Sequence, residues 1–522
     1  MLPAVSYNKY QKGLRAMRQK NRKNSIIRAI FVAISVMLQI SWLLLLVLKL
    51  NQYSTYISLI TGALAFLAVL RLYSRDMAGA YKMPWIMLIL VFPVMGLSLY
   101  LLTEVAVTRK SVRRRMGEVR NQIGAYLCQN PDVMTALEGQ NFAVANQFRY
   151  LSLCENSPVY CNTSVKHYSS GALALADLKE DLEQAKEFIF MEYFIVEDGD
   201  CFRELREILV RKAREGVDVR LMYDDIGSVG YVNWRFAREL NAQGIRCQVF
   251  NPALPILNLF LNNRDHRKIT VIDGKVGYTG GYNLADEYFG KKELYGRWKD
   301  TGIRLEGEAV RSLTASFLEL WTLTGRGKED YGRYLNVCHS VPSEGYVQPF
   351  GDNPMDQEHS GENMYIHMIN HAAHSLWIMT PYLIITDELS RALELAAKRG
   401  VDVRIITPGI PDKRAVYAVT RSYYAGLVKG GVRIFEYTPG FLHAKQCICD
   451  GVLASIGTSN LDYRSLYLHF ENNVLLYDCD AVTQMKTDFE ETLNQCREVT
   501  EQYHSRILRI WQCILRLFAP LL

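Results

Sequence analysis

Hydrophobic and charged positions divide this chain into two unlike parts. Ala29 to Leu48 is twenty residues without a charge, Asn51 to Leu70 is a second uncharged run, and Met83 to Thr103 is a third. About twenty apolar residues in a helix cross a hydrocarbon core about 30 Å thick. One such run fits a buried core helix equally well. Three in succession, ahead of a stretch of globular composition, predict membrane segments at about 29–48, 53–71 and 83–103. The first is too long for a cleaved leader and has no small-residue cleavage site after it. Residues 1–28 carry eight Lys or Arg and no acid, which argues for a cytoplasmic start. Arg109-Lys110 and Arg113-Arg114-Arg115 make the same demand of the far end, and three full crossings cannot satisfy both. Pro93 and Gly96 near the middle of the third run predict a kinked or re-entrant hairpin there, with the rest of the chain on the cytoplasmic side.

Past about residue 150 the periodicities change. Phe188 to Ile195 and Leu376 to Leu383 are apolar, β-prone runs, each followed by an amphipathic helix, Arg203 to Glu215 and Glu388 to Arg399. Gly216-Val217-Asp218-Val219-Arg220 recurs as Gly400-Val401-Asp402-Val403-Arg404, and Gly244-Ile245-Arg246 as Gly431-Val432-Arg433, at nearly the same offset. Two copies of one β-α-β unit with small insertions account for this. The expected fold class is α/β: two α-β-α repeats forming one catalytic unit about a pseudo-two-fold axis. The expected divisions are membrane segments with a basic N-terminal arm (1–104), a basic linker (105–150), a first repeat (151–330) and a second (331–522). The last ends in an amphipathic helix, Ile507 to Phe518, that suits core packing or an interfacial position.

Inside the repeats a phrase of chemistry occurs twice, once in each copy: His266-Arg267-Lys268, Asp273, Gly280-Gly281-Tyr282-Asn283, then His443-Ala444-Lys445, Asp450, Gly457-Thr458-Ser459-Asn460. Both copies obey H-x-K-x4-D-x6-G-[GT]-x-N. A lone H-x-K is usually a solvated strand; two full-length matches at fixed spacing are not. On a strand the His and Lys share a face. Asp273-Gly274 and Asp450-Gly451 are hairpin-turn signals, so a turn or orienting role for the two aspartates is favoured over direct chemistry. Gly280, Gly281 and Gly457 allow backbone amides, with Thr458, Asn283 and Asn460, to approach a phosphate. Two imidazoles titrating near neutrality, each with a fixed ammonium group, suit phosphodiester transfer without metal. Cys447 and Cys449 read as core rather than as metal ligands. The eleven cysteines form no disulfide framework, as in a reducing compartment. No cofactor is called for. The net charge of +6 comes with no aromatic-interleaved basic groove, so nucleic acid is not the expected partner. The basic clusters beside the uncharged runs suit an anionic membrane.

These motifs resemble the phospholipase D superfamily, whose signature is a duplicated H-x-K-x4-D, and more narrowly the bacterial cardiolipin synthases. The narrower likeness rests on Asn263 to Lys268, Gly280 to Asn283 with Glu287-Tyr288, and Trp298-Lys299-Asp300-Thr301. It continues through Pro381-Tyr382-Leu383, Arg421 to Tyr424, Gly440 to Lys445, Asn460 to Ser465, Glu471-Asn472 and the closing Pro520-Leu521-Leu522. It departs at Thr458, where Ser is commoner, and in the additional basic N-terminus. The resemblance implies a bacterial membrane enzyme that joins two phosphatidylglycerol molecules into cardiolipin and glycerol through a phosphohistidine. It implies His266 as nucleophile, His443 as general acid and base, catalytic roles for Lys268, Lys445, Asp273 and Asp450, and Glu471 orienting a histidine. The alternative is a phospholipase D or phosphatidylserine synthase using water or another alcohol as acceptor. A scaffold that had abandoned catalysis would be expected to have lost a His or Lys from one copy, and both copies are intact. Oligomeric state is not legible.

Overall fold

Seven strands of one topology occur twice. In the first sheet the order is β1 (Thr163–Tyr168), β8 (Gly302–Gly307), β7 (Val276–Gly280), β6 (Lys268–Ile272), β2 (Phe188–Tyr193), β3 (Asp218–Asp224), β4 (Arg246–Phe250). In the second it is β9 (Tyr346–Asp352), β17 (His469–Tyr477), β15 (Leu453–Gly457), β14 (Gln446–Cys449), β10 (Ser375–Met379), β12 (Asp402–Pro408), β13 (Arg433–Tyr437). The senses match as well: β2–β3 and β10–β12 are parallel, and β6 and β14 run antiparallel to β2 and β10. β18 (Cys496–Glu498) extends the second sheet past β13. The short β5 (Arg264–Asp265) leaves the first repeat to pair with β17 of the second. A separate two-stranded piece, β11 (Leu383–Ile384) with β16 (Leu461–Asp462), forms where Pro381 ends the predicted strand Leu376 to Leu383. The structure is a computed structural model that describes residues 54–75, 79–93, 95–97, 100, 108–252, 263–325, 327–356 and 358–500, with isolated positions at 37, 40, 41, 44, 512, 515–517 and 519.

Alternation along the central strands builds three cores. Phe188 and Phe190 face inward with Trp377 and Met379 into a cluster shared by both repeats, which also holds Phe317 and Phe489. Ile189, Met191 and Tyr193 face the outer helices of the first repeat, and Leu376 and Ile378 those of the second. The predicted amphipathic helices form as Asp200–Arg214 and Asp387–Lys398. The former buries Phe202, Leu205, Ile208 and Leu209 along one stripe, each contributing about 1.5–3 kcal/mol.

Two expectations change. Residues 105–150 were expected as a linker, but from Thr108 onward they fold as helices Thr108–Gly124, Pro131–Gln140 and Phe142–Glu155. Met116, Val119 and Ile123 enter the shared core, and Arg120 pairs with Glu319 of the first repeat and Asp356 of the second, so this segment clamps the two repeats together. Only parts of the predicted membrane segments lie within the described residues. Residues 29–48 lie almost wholly outside the described residues, and the other two runs fall on α1 (Ser54–Tyr73) and α2 (Gly79–Val91). Among the described residues no helix is long and apolar enough to cross a membrane. α1 and α2 pack on each other through Ala65, Leu72 and Ile89, while Leu59, Phe66, Leu67 and Leu90 stay exposed. Tyr81 ties α2 to the second repeat, its hydroxyl donating to the Tyr463 carbonyl at 2.9 Å. Most of the C-terminal amphipathic stretch lies outside the described residues; within it Arg516 sits over the Tyr423 ring.

Candidate active site

Each motif histidine is a residue that leads into an inner strand, β6 or β14, and each strand ends in the predicted turn. Asp273 and Gly274 have φ of 53° and 66°, Asp450 and Gly451 52° and 71°, the two successive positive values of a type I′ hairpin. The turn places both aspartates at the opposite end of the strand from the imidazoles. Asp273 accepts hydrogen bonds from the amides of Lys186, Glu187 and Phe188; Asp450 accepts from Ala373, His374 and Ser375. This is the turn and orienting role favoured from the Asp-Gly pairs, and the catalytic role implied by the resemblance is corrected: the two fasten the hairpins to the start of β2 and β10.

The imidazoles are held by a crossed arrangement. The His266 amide donates to the Phe470 carbonyl of the second repeat, and the His443 amide to the Lys299 carbonyl of the first. The residue after each of these carbonyls is an acid. His266 Nδ1 lies 2.8 Å from Glu471 Oε1, and His443 Nδ1 lies 2.8 Å from Asp300 Oδ2. Each repeat thus supplies the histidine of one pair and the carboxylate of the other. Both imidazoles line one cavity of about 680 Å³, with Asn283, Asn460, Arg264, Lys413, Tyr382 and Ile384.

Lys268 and Lys445 are fully buried beneath the histidines, each ammonium group donating to the carbonyl of its own motif histidine. Lys445 Nζ is also 2.7 Å from His443 Nδ1. Burial lowers Lys268 to about 8 and Lys445 to about 7, against the pull of nearby Asp300 and Glu471. Burial likewise raises Asp300 to about 6, opposed by Lys445 and the Thr301 amide. Burial also disfavours charge on Glu471, but the charge and hydrogen bond of His266, with His469 nearby, outweigh it and hold the carboxyl below its ordinary value. Burial first, then Lys445, Lys268 and Lys413, push His443 well down.

The small-residue corners do something other than cradle a ligand. Gly281 and Thr458 do not line the cavity. A Cβ on Gly281 would be driven into Asp300 Oδ1, so glycine there makes room for the carboxylate. Thr458 donates its hydroxyl to Glu471 Oε2 and accepts from the Asn472 amide. Asn283 does reach the cavity, its Oδ1 accepting from the Ile195 amide at 3.1 Å; Asn460 also lines it and its Oδ1 has no partner.

Three participants were missed by sequence reasoning. Asp300 stood out only through the resemblance, because it lies farther past Asn283 than Glu471 lies past Asn460, and the unequal spacing conceals their equivalence. Trp298 and His469, each two positions before its acid, are the others. Tyr288, Trp298 and Phe441 surround His443 at ring distances of 5.2, 5.6 and 5.9 Å; Phe194 and His469 flank His266 at 5.0 and 5.5 Å. His266, His469 and Glu471 are also a group of metal-ligating type, with one ligand atom from each within 4.8 Å of the others. Cys447 and Cys449 are buried on β14 as core.

Comparison with known proteins adds to this geometry. A family model described as "Cardiolipin synthase, PLD-like domain" matches residues 178–321 and 365–493, and one described as "Phospholipase_D-nuclease N-terminal" matches residues 63–103. The cardiolipin synthase of Halalkalibacterium halodurans is 35% identical over 477 residues, covering 89% of this chain and 93% of that protein. Cardiolipin synthase 2 of Bacillus anthracis is 36% identical over 464 residues, 88% and 90% of the two chains. An uncharacterised protein of Streptococcus mutans is 40% identical over 459 residues, 87% and 99%. Among solved structures, the phosphatidylserine synthase of Haemophilus influenzae Rd KW20 superposes with a TM-score of 0.54 at 16% identity, over 73% of this chain and 98% of that one, a likeness of fold.

Proposed function

The chain belongs to the cardiolipin synthase family of phospholipase D-like proteins, and from that premise we propose that its cavity transfers a phosphatidyl group from one phosphatidylglycerol to another, giving cardiolipin and glycerol. The observation that carries the reading is the pair of crossed His–carboxylate contacts, His266–Glu471 and His443–Asp300, on one cavity.

The steps follow from those contacts. With Nδ1 bonded to Glu471, His266 presents Nε2 as nucleophile to the phosphorus of the first lipid. An N–P bond forms, the P–O bond to glycerol breaks, and the leaving oxygen takes a proton from His443. A second phosphatidylglycerol then presents a glycerol hydroxyl. His443 removes its proton, the new P–O bond forms and the N–P bond breaks, which frees His266. General acid–base help of this kind is worth about 10²–10⁴-fold. In the free enzyme His443 is pushed towards its neutral form. The negative charge of an incoming phosphodiester offsets the ammonium groups that contribute to this and restores a proton where the leaving group needs one. Lys268 and Lys445 hold positive charge under the phosphoryl oxygens without moving when charge develops.

A lipid substrate calls for a membrane. Support comes from the exposed apolar residues of α1 and α2, docked through Tyr81 beside Tyr463, which lines the cavity. The finer reading is a multi-pass protein of an anionic bacterial membrane with the repeats on its cytoplasmic side, supported by the basic residues 1–28 and 109–115. Purified full-length protein in phosphatidylglycerol vesicles should form cardiolipin and glycerol in equal amounts. Phosphatidic acid without cardiolipin overturns the reading in favour of hydrolysis.

A further inference from the structure

His469 is not used by the transfer chemistry, yet it is buried beside it. Its side chain is 9% exposed and lines the cavity, and among the described residues neither ring nitrogen has a hydrogen-bond partner. A buried imidazole whose nitrogens make no hydrogen bond, beside a polar cavity, is costly unless a ligand completes it. Its Nδ1 lies 3.8 Å from Glu471 Oε1, which in turn is 2.8 Å from His266 Nδ1. We propose that His266, His469 and Glu471 bind one divalent transition-metal ion of the zinc class, and that its arrival switches the transfer reaction off.

Two imidazoles and one carboxylate are a zinc donor set, and zinc bonds of about 2.0–2.1 Å in a tetrahedron put ligand atoms roughly 3.4 Å apart. The two separations above bracket that value, so small side-chain adjustments admit the ion. The ion replaces the proton shared between His266 and Glu471, and the fourth position opens to the cavity. Whichever nitrogen of His266 coordinates, the ring stops working. If Nε2 is ligated its lone pair is used; if Nδ1 is ligated, the ring's one proton moves from Nδ1 to Nε2, which then cannot attack phosphorus. The other half of the cavity offers an internal contrast. Trp298 stands two positions before Asp300 where His469 stands two before Glu471, so His443 and Asp300 lack a third ligand. Metal binding is therefore expected at one half only.

The loss of activity rests on the proposed transfer reaction; the binding does not. Full-length protein in detergent is titrated with Co²⁺, whose visible d–d absorption reports ligation, and Zn²⁺ inhibition is followed as cardiolipin formed in phosphatidylglycerol vesicles. One Co²⁺ per chain, displaced by Zn²⁺, is expected, together with zinc inhibition relieved by a chelator. Losing an outer-shell partner of a metal already costs about 10–100-fold in affinity, so His469→Asn should weaken Co²⁺ binding and raise the half-inhibitory zinc by at least about tenfold. Unchanged values in that variant, or no Co²⁺ uptake by the wild type, overturn the site. X-ray absorption of the zinc-loaded wild type does not depend on the variant folding. Two imidazole nitrogens are expected; fewer than two overturn the site. Metal uptake without any cardiolipin from the metal-free enzyme would leave the site standing and sink the transfer reading instead.

Discussion

The half-site around His266 and the half-site around His443 are built on the same strands and differ in what surrounds the ring. His266 has a carboxylate held ionised by its partners, which also takes the Thr458 hydroxyl, and its neighbours are Phe194 and His469, whose ring makes no hydrogen bond among the described residues. His443 has a carboxylate raised to about 6, an ammonium group 2.7 Å away, and three aromatic rings around it. The first environment fixes one protonation state across the physiological range. The second sits close to a change of state. A duplicated fold can therefore separate nucleophile from proton carrier without breaking the symmetry of its backbone, by changing what the few residues next to each acid contribute. Burial pushes both imidazoles below their ordinary value, so the proposed roles of His266 as nucleophile and His443 as proton carrier rest on that difference between their carboxylates and neighbours.

The strongest way to break the comparison is to delete each ring. His266→Ala and His443→Ala should each lower cardiolipin formation by about 10⁴-fold or more, because the two act as one unit. Their products should differ. With labelled phosphatidylglycerol, His443→Ala should label slowly or accumulate acid-labile phosphohistidine, and His266→Ala should not label. Label on the His266 variant alone reverses the roles. Next in size are the carboxylates. Asp300→Asn and Glu471→Gln keep a hydrogen-bond acceptor and lose the charge; each should cost on the order of 10²–10⁴-fold in kcat.

pH then separates the two halves. Asp300, raised to about 6, takes up a proton as pH falls through that value, and His443 loses its charged partner, so kcat should fall on the acid side near 6. Lys445 and Lys268, lowered to about 7 and 8, lose their charge as pH rises through those values, so kcat should fall again on the alkaline side. The residual activity of Asp300→Asn should lack the acid limb and that of Glu471→Gln should retain it. An acid limb that survives in Asp300→Asn assigns it elsewhere.

The repeat, the α/β class, the two hairpin turns and the motif histidines and lysines were all legible in the sequence, because each rests on spacing along the chain: period two in β6 and β14, Asp-Gly at the turn, matched offsets between the copies. What was not legible depends on contact across the repeats. Nothing local tells Asp300 that it meets His443, since that pairing is made by backbone bonds between the repeats, His443 to the Lys299 carbonyl and Lys299 to the Phe441 carbonyl. The motif aspartates read two ways: Asp-Gly pointed to a turn, which is what they form, and only the resemblance implied chemistry. Thr458 likewise reads as a phosphate donor, but its hydroxyl is spent on Glu471.

The two motif aspartates allow a smaller and cleaner comparison, because both repeats use them identically. Asp273→Asn and Asp450→Asn each replace a charged acceptor of three backbone amides, and each should destabilise the fold by about 2–3 kcal/mol. Burial works against the charge on Asp450, but the amides of Ala373, Ser375 and His374 outweigh it and hold its carboxyl below the ordinary value. Its stabilising contribution is therefore present at neutral pH and lost as pH falls through that lowered value. Thermal melting should reveal both losses, with kcat per folded molecule nearly unchanged; a kcat loss as large as that of Asp300→Asn would return the aspartates to the chemistry.

The mildest test concerns the one motif position where the copies differ, Gly281 against Thr458. Thr458→Ser keeps the hydroxyl that Glu471 accepts and removes only a methyl group, so transfer should fall by less than about threefold. Thr458→Ala removes the bond and leaves Glu471 Oε2 with only the His266 Nδ1 contact at 2.9 Å, at about 1–3 kcal/mol, which corresponds to roughly five- to 150-fold if it is felt in the transition state. Because the bond lost belongs to the carboxylate that holds His266, the variant should slow formation of the phosphohistidine more than its resolution. Burst kinetics with labelled phosphatidylglycerol separate the two steps. Equal slowing of both would mean that the Thr458 hydroxyl supports the cavity as a whole rather than the half-site of His266.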